Sequence, residues 1–234
     1  MLIIHPEDST TKFLETLYKP YINVSSNSAL TIQQIFGDDW RKSGLLIDKR
    51  VSRSRINKEI SNEVAQEEFG SVMLLGHGTA SGLLGIQWGL SVNRKSAPIL
   101  VIGESEVDSL RGHKSKKEYE SQDRELSSSL IGIWCYANEF AQRHKLQGLF
   151  SGMIISEMDE ALNLGFNVGR ELIEETNLAF CRRLGDLLNK FYHGEIDLDE
   201  IPEIMKSYIE TDGHSFGVSG YSIINYNYSS LYYY

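Results

Sequence analysis

Short apolar runs, separated by charged and turn-forming stretches, set the rhythm of this chain. Leu2, Ile3 and Ile4 predict a first strand, and residues 6–11, rich in Asp, Ser and Thr after Pro6, a turn into a helix reaching about Tyr18. Asp8, Ser9 or Thr10 would cap it. Residues 29–32 and 45–47 are strand-like pieces broken by Phe36-Gly37-Asp38-Asp39, whereas Ile56, Ile60, Val64 and Phe69 fall near helical spacing. Val72-Met73-Leu74-Leu75 then reads as a buried strand that ends in Gly76-His77-Gly78.

Beyond it, residues 83–86 and 88–90 suggest hairpin or loop elements, 98–102 a short strand and 104–110 a helix. Residues 111–125 are the most charged stretch, expected as a solvated loop or exposed helix. A second buried strand, Leu130-Ile131-Gly132-Ile133-Trp134, ends in Cys135, and a helix over 139–145 and a strand over 148–156 follow. The clearest helix covers 171–191, with Leu178, Cys181, Leu184, Leu188 and Phe191 on one face. An acidic turn at 195–200 leads to a short helix at 201–209. Alternation and aromatic content predict a final strand at 221–228. Strands alternating with helices give an α/β fold, a mainly parallel central sheet flanked by helices. With no internal repeat and no linker, 1–234 reads as one domain, its core at about 1–156 and its C-terminal helices and final strand at 157–234.

Composition narrows the class. Hydrophobic content of 41% and charged content of 24% are those of a globular protein, and no apolar run approaches the roughly 20 residues that cross a bilayer. No signal peptide precedes the first strand, and two cysteines make no disulfide framework, so the expected compartment is the cytoplasm. A net charge of −9 argues against nucleic acid as a partner.

The chemistry lies at the two matched junctions. A thiol and an imidazole at the carboxyl ends of buried strands can meet at one sheet edge as nucleophile and base. Gly78 leaves the backbone after His77 unobstructed, so its N–H and that of Cys135 can face an oxyanion. No Asp or Asn is placed by the sequence to orient His77.

An apolar strand ending in His-Gly, a separation of 135 − 77 = 58 residues, then an apolar strand ending in Cys, resembles the caspase-like cysteine peptidases. That resemblance spans residues 1–156 and implies a three-layer caspase-like sandwich with His77 and Cys135 as the catalytic dyad. It also implies an oxyanion hole from the Gly78 and Cys135 N–H groups and a peptide or protein as substrate, with no cofactor or metal. Ile133-Trp134-Cys135-Tyr136-Ala137 departs from the Gln-Ala-Cys-x-Gly of true caspases, so aspartate specificity does not carry over. The phrases around Cys135, residues 148–153 and residues 155–157 are similar to an uncharacterised bacterial branch. Some compact bacterial members act in antiphage defence, switched on by a nucleotide; by analogy a small nucleotide is a candidate activator here. Carboxylates after the strands, Asp8 and then Glu157, Asp159 and Glu160, are candidates to line S1 and favour Arg or Lys at P1, or alternatively to serve helix N-termini.

Two other classes stay open: a catalytically idle scaffold binding a nucleotide or protein partner, and a thiol amidase or acyltransferase on the same dyad. Cys181 reads as a core residue, and His5 as structural or as a wall of the same cleft. The remaining histidines read as exposed, with no zinc spacing among them. The glycines at 76, 78, 82 and 85 lack the Lys-Ser/Thr of a phosphate loop. The cluster Lys49, Arg50, Arg53, Arg55 and Lys58 reads as a solvated helix start.

Overall fold

The computed structural model describes residues 2–5, 10–18, 33–35, 71–84, 100–112 and 129–234. Nine strands are found among them: β1 Leu2–Ile4, β2 Gln33–Ile35, β3 Ser71–Leu75, β4 Gly78–Thr79, β5 Gly82–Leu84, β6 Leu100–Ile102, β7 Ser129–Ile133, β8 Leu149–Ser151 and β9 Leu231–Tyr233. The α-helices are α1 Val107–Gly112, α2 Ala137–His144, α3 Met158–Asn163, α4 Arg170–Tyr192, α5 Ile201–Ser207, α6 Ile209–Gly213 and α7 Gly217–Tyr228. A 3₁₀ helix, Lys12–Leu17, follows β1.

The main sheet has the order β2-β1-β3-β7-β8-β9. Its first five strands run parallel, and β9 closes the edge antiparallel to β8. Every residue of β3 and β7 is buried, as expected of parallel strands covered on both faces. Side-chain alternation divides these strands between two cores. Ile3, Met73, Leu75, Ile131 and Ile133 pack with the 3₁₀ helix, α4, α5 and α7. Ile4, Val72, Leu74, Leu130 and Trp134 pack with α1 and α2 on the other face. The fold is therefore mixed α/β, a mostly parallel sheet flanked by helices. A small antiparallel sheet, β4-β5-β6, projects beyond β3.

Several expectations are corrected. Residues 221–228 form the end of α7, not a strand: Gly220, Ile223, Ile224, Asn227 and Tyr228 are buried, a spacing of three and four that makes one helical face. Burial of that face outweighs the strand preference of its Tyr and Ile residues, and the terminal strand falls later, in β9. Within α4, Cys181, Leu184, Leu188 and Phe191 are buried as expected, but Leu178 is 37% exposed; Ile173, Phe180 and Leu187 complete the apolar face instead. The strand expected over 148–156 stops at Ser151. Helix 8–18 is a 3₁₀ helix from Lys12. The pieces at 29–32, 45–47 and 54–69, the Lys49–Lys58 cluster and most of the charged stretch lie outside the described residues.

An ion pair fastens α6 to α4. Arg183 donates to both oxygens of Asp212 at 2.8 and 2.7 Å, its guanidinium lies over the Tyr208 ring at 4.4 Å, and Tyr228 Oη donates to Asp212 at 2.8 Å. These donors, Arg183 first, hold the Asp212 carboxyl below the usual carboxylate range. The carboxylate form is thus favoured by folding: its stabilisation is complete above the unfolded value near pH 4 and is lost as pH falls through the lower folded value. Asp212→Ala is expected to cost about 2–3 kcal/mol in chemical denaturation at pH 7. That loss should shrink on moving to pH 3. A pH-independent loss would show that packing alone is at stake.

Candidate active site

β3 and β7 are neighbours in register, Ser71 opposite Ser129 and Leu75 opposite Ile133, an offset of 58 residues at each pair. The separation of His77 and Cys135 is the same 58 residues. Spacing in the chain and register in the sheet therefore agree, which brings the two residues to the same level, two positions past the last pair. By alternation both continue the face of Leu75 and Ile133, the α4 side. The ladder extends one step further, Gly76 N–H donating to Ile133 O at 3.2 Å, and then stops.

His77 and Cys135 line one small cavity, together with Thr11, Leu14, Ile154 and Ser156. Its free space is about 10 Å³, room for about one water. Thr10 Oγ1 and His77 Nε2 form a short hydrogen bond, and Glu157 Oε1 lies 3.6 Å from the same nitrogen. The orienting groups missing from the sequence reading are thus a threonine from the segment after β1 and a glutamate from the cap of α3. His5 does not join them. It is buried, bonded to Tyr18 Oη at 3.1 Å and to Thr11 Oγ1 at 3.2 Å, and so holds the 3₁₀ helix beneath the cavity.

The thiol has different company. Cys135 Sγ is 3.7 Å from the Ile154 carbonyl and 3.6 Å from Glu160 Oε1, to which it can donate. Glu160 is fixed in turn, because its Oε2 accepts from Ser156 N–H at 2.7 Å, Ser156 Oγ at 2.9 Å and Glu157 N–H at 3.0 Å. Here a carboxylate serves a helix N-terminus and still faces the thiol. Cys135 also precedes α2, whose N-terminus favours thiolate. Burial first, then the Glu160 charge, overcome that pull and push the Cys135 thiol up from 9.0 to about 12.

The backbone around the thiol is unusual. Tyr136 adopts φ 68°, a left-handed conformation that costs a non-glycine residue about 1–2 kcal/mol. Its N–H donates to Gly152 O at 3.2 Å, and its hydroxyl to Met153 Sδ at 3.2 Å. This turn leaves the Cys135 N–H without an acceptor among the described residues. On the other junction, Leu84 N–H donates to His77 O at 2.8 Å, which makes Gly78–Leu83 a non-hydrogen-bonded pair. The Gly78 N–H consequently points away from the β4–β5 ladder.

Gly78 has a second reason to be glycine. A Cβ there would lie 1.9 Å from Trp134 Cδ1, and the same indole donates to Thr79 O at 3.2 Å. The residue after His77 and the residue before Cys135 are packed against each other.

Of the carboxylates expected in S1, Glu157 is beside His77, Asp159 is exposed on α3, and Asp8 lies outside the described residues. The sequence reading missed the roles of Thr10 and Tyr136. Neither carries a compositional signal: Thr10 was one of three capping candidates, and left-handed tyrosine is invisible before the backbone is known. Among the described residues no group of His, Cys, Asp and Glu side chains is placed to hold a metal ion, and no helix is long and apolar enough to cross a membrane. No family model, curated protein or solved structure matches this chain.

Proposed function

We propose that the chain is a cysteine endopeptidase of the caspase-like kind, held in a resting conformation. The observation that carries this reading is the register: His77 and Cys135 occupy equivalent positions past adjacent parallel strands and share one cavity. Cys135 Sγ attacks the peptide carbonyl, His77 takes the thiol proton and passes it to the leaving amine, and the N–H groups of Gly78 and Cys135 receive the oxyanion. Thr10 and Glu157 orient the imidazole. The resting character follows from the raised thiol and from a cavity too small for a peptide. Activation must widen that cavity and draw the Sγ proton from Glu160 toward His77.

A second reading, a thiol-bearing scaffold that binds without hydrolysing, is favoured by one observation, the carboxylate facing the thiol. Alkylation kinetics separate the two. A thiol at about 12 should react with iodoacetamide at pH 7.5 roughly 10³-fold slower than one at 9.0. In Glu160→Gln the opposing charge is gone while the amide oxygen still caps α3, so Cys135 should alkylate about 3–10-fold faster. Fluorogenic Arg and Lys peptides should then be cut faster by this variant than by the parent. Faster alkylation with no cleavage of any peptide, before or after opening the site, would favour the scaffold.

A further inference from the structure

Glu157 and Glu160, the carboxylates that meet His77 and Cys135, both belong to the start of α3. That helix is closed on itself at each end. At its start, Glu160 Oε2 accepts from the N–H groups of Ser156 and Glu157. At its far end the chain turns on Gly165, φ 83°, whose N–H donates to Leu162 O at 3.0 Å while Phe166 N–H donates to Ala161 O at 2.8 Å. The helix is lightly fastened to the rest of the molecule. Of its six residues Ala161 is the buried one. Ala161 belongs with Ile155, Ile173 and Ile223 to a small apolar cluster outside the two cores of the sheet, and Phe166, Val168 and Tyr226 pack against it. Met158, Leu162 and Leu164 are exposed.

The chain is firmly held on both sides of this segment. Asn227 of α7 holds Ile155 at both backbone groups, its Oδ1 accepting from the N–H at 2.8 Å and its Nδ2 donating to the carbonyl at 3.2 Å. The same Nδ2 donates to Asn177 Oδ1 of α4 at 3.2 Å, which fixes the amide. On the other side, α4 begins at Arg170, directly after Gly169, where an added Cβ would meet nothing within 4 Å. Between these points Ser156 is a wall of the cavity shared by His77 and Cys135. We infer that residues 156–169 are a hinged latch that regulates the site. Docked, the latch engages Cys135 and His77 together and closes the cavity; swung out about Ile155 and Gly169 as an intact helix, it releases both and opens the cavity to a peptide. The assignment rests on the reading of Cys135 and His77 as a catalytic pair. It makes the resting state a property of one element, so a change that only loosens α3 from its cluster reaches both residues without touching either.

The test loosens the latch from behind, in the full-length chain. Ala161→Asp places a charge in the apolar cluster, and Phe166→Ala removes the ring that meets Tyr226 at 6.2 Å between centroids. Both variants keep Glu157 and Glu160, and a melting curve establishes that each is folded. Where Ala161→Asp does not melt cooperatively, Phe166→Ala decides. Alkylation of Cys135 by iodoacetamide at pH 7.5 and carbethoxylation of His77 by diethyl pyrocarbonate are followed by peptide mapping. Both reactions should accelerate, by about tenfold or more in Ala161→Asp and about threefold in Phe166→Ala, because one opening exposes both side chains. Fluorogenic peptides should be cut faster by the same variants. Acceleration at Cys135 alone, or at neither residue in a folded variant, overturns the latch. Joint acceleration in variants that cut no peptide leaves the latch standing and overturns the peptidase. Cleavage that is lost in Cys135→Ala but equally fast in the parent and the folded latch variants does the reverse.

Discussion

Cys135→Ala is expected to abolish cleavage of fluorogenic Arg and Lys peptides, and His77→Ala to lower kcat by about 10²–10⁴-fold with little change in KM. The reasoning is geometric. Both side chains sit at the same level past adjacent strands, and in the proposed mechanism each serves a step the other cannot perform. Combining the two substitutions should cost no more than Cys135→Ala alone, since residues that act as one unit are not additive. Neither change should disturb the fold by more than about 1 kcal/mol, because both side chains lie beyond the last paired residues of their strands. The measurement is steady-state kinetics on protein whose melting temperature is matched to the parent. Retained cleavage in Cys135→Ala would remove the thiol from the reaction altogether.

Gly78→Ala is expected to destabilise the fold strongly. The added methyl would overlap the Trp134 ring at 1.9 Å, and that indole is only 2% exposed and tied to Thr79 O. Neither partner can give way cheaply: the ring packs against Phe140 at 5.8 Å between centroids, and Gly78 is held by pairing with β5. Overpacking of this kind costs about 3 kcal/mol, which for a chain of this length lowers Tm by roughly 6–12 °C. Trp134→Ala alone should also cost about 3–5 kcal/mol by opening a cavity. In the double variant the methyl occupies part of that cavity, so the two losses should fall short of their sum by 1 kcal/mol or more, on the order seen for touching residues. Strict additivity in a denaturation cycle would mean that the two positions do not bear on each other.

How much of this was legible in the sequence depends on the interactions concerned. The two apolar runs before His77 and Cys135 are buried on both faces, so their composition alone announces central parallel strands, and the end of each run fixes where the reactive residue emerges. The α4 helix was legible for the same reason, its apolar face repeating over 23 residues. Residues 221–228 misled because short Tyr- and Ile-containing segments satisfy both periods over eight residues, and only packing of α7 against α4 and α6 selects the helix. Leu178 misled because one face of a long helix is wider than its buried stripe. In the site, the meeting of His77 and Cys135 was readable from position along strands, while their neighbours were not. Thr10 and Glu157 reach His77 from segments remote in sequence, and Glu160 reaches Cys135 through a cap whose geometry depends on where α3 begins.

The shared offset of β3 and β7 has a consequence for how the chain acquires its chemistry. Pairing β1 with β3 joins residues 70 apart, as Leu2 meets Val72, and pairing β3 with β7 joins residues 58 apart. Both are closures of long chain segments, made before the local contacts of either strand repay them, and parallel sheets built this way fold on the slow side, in milliseconds to seconds. His77 and Cys135 are strangers until the second closure is complete. A partly folded chain therefore carries an isolated imidazole and an isolated thiol, and the two come together only in the finished sheet.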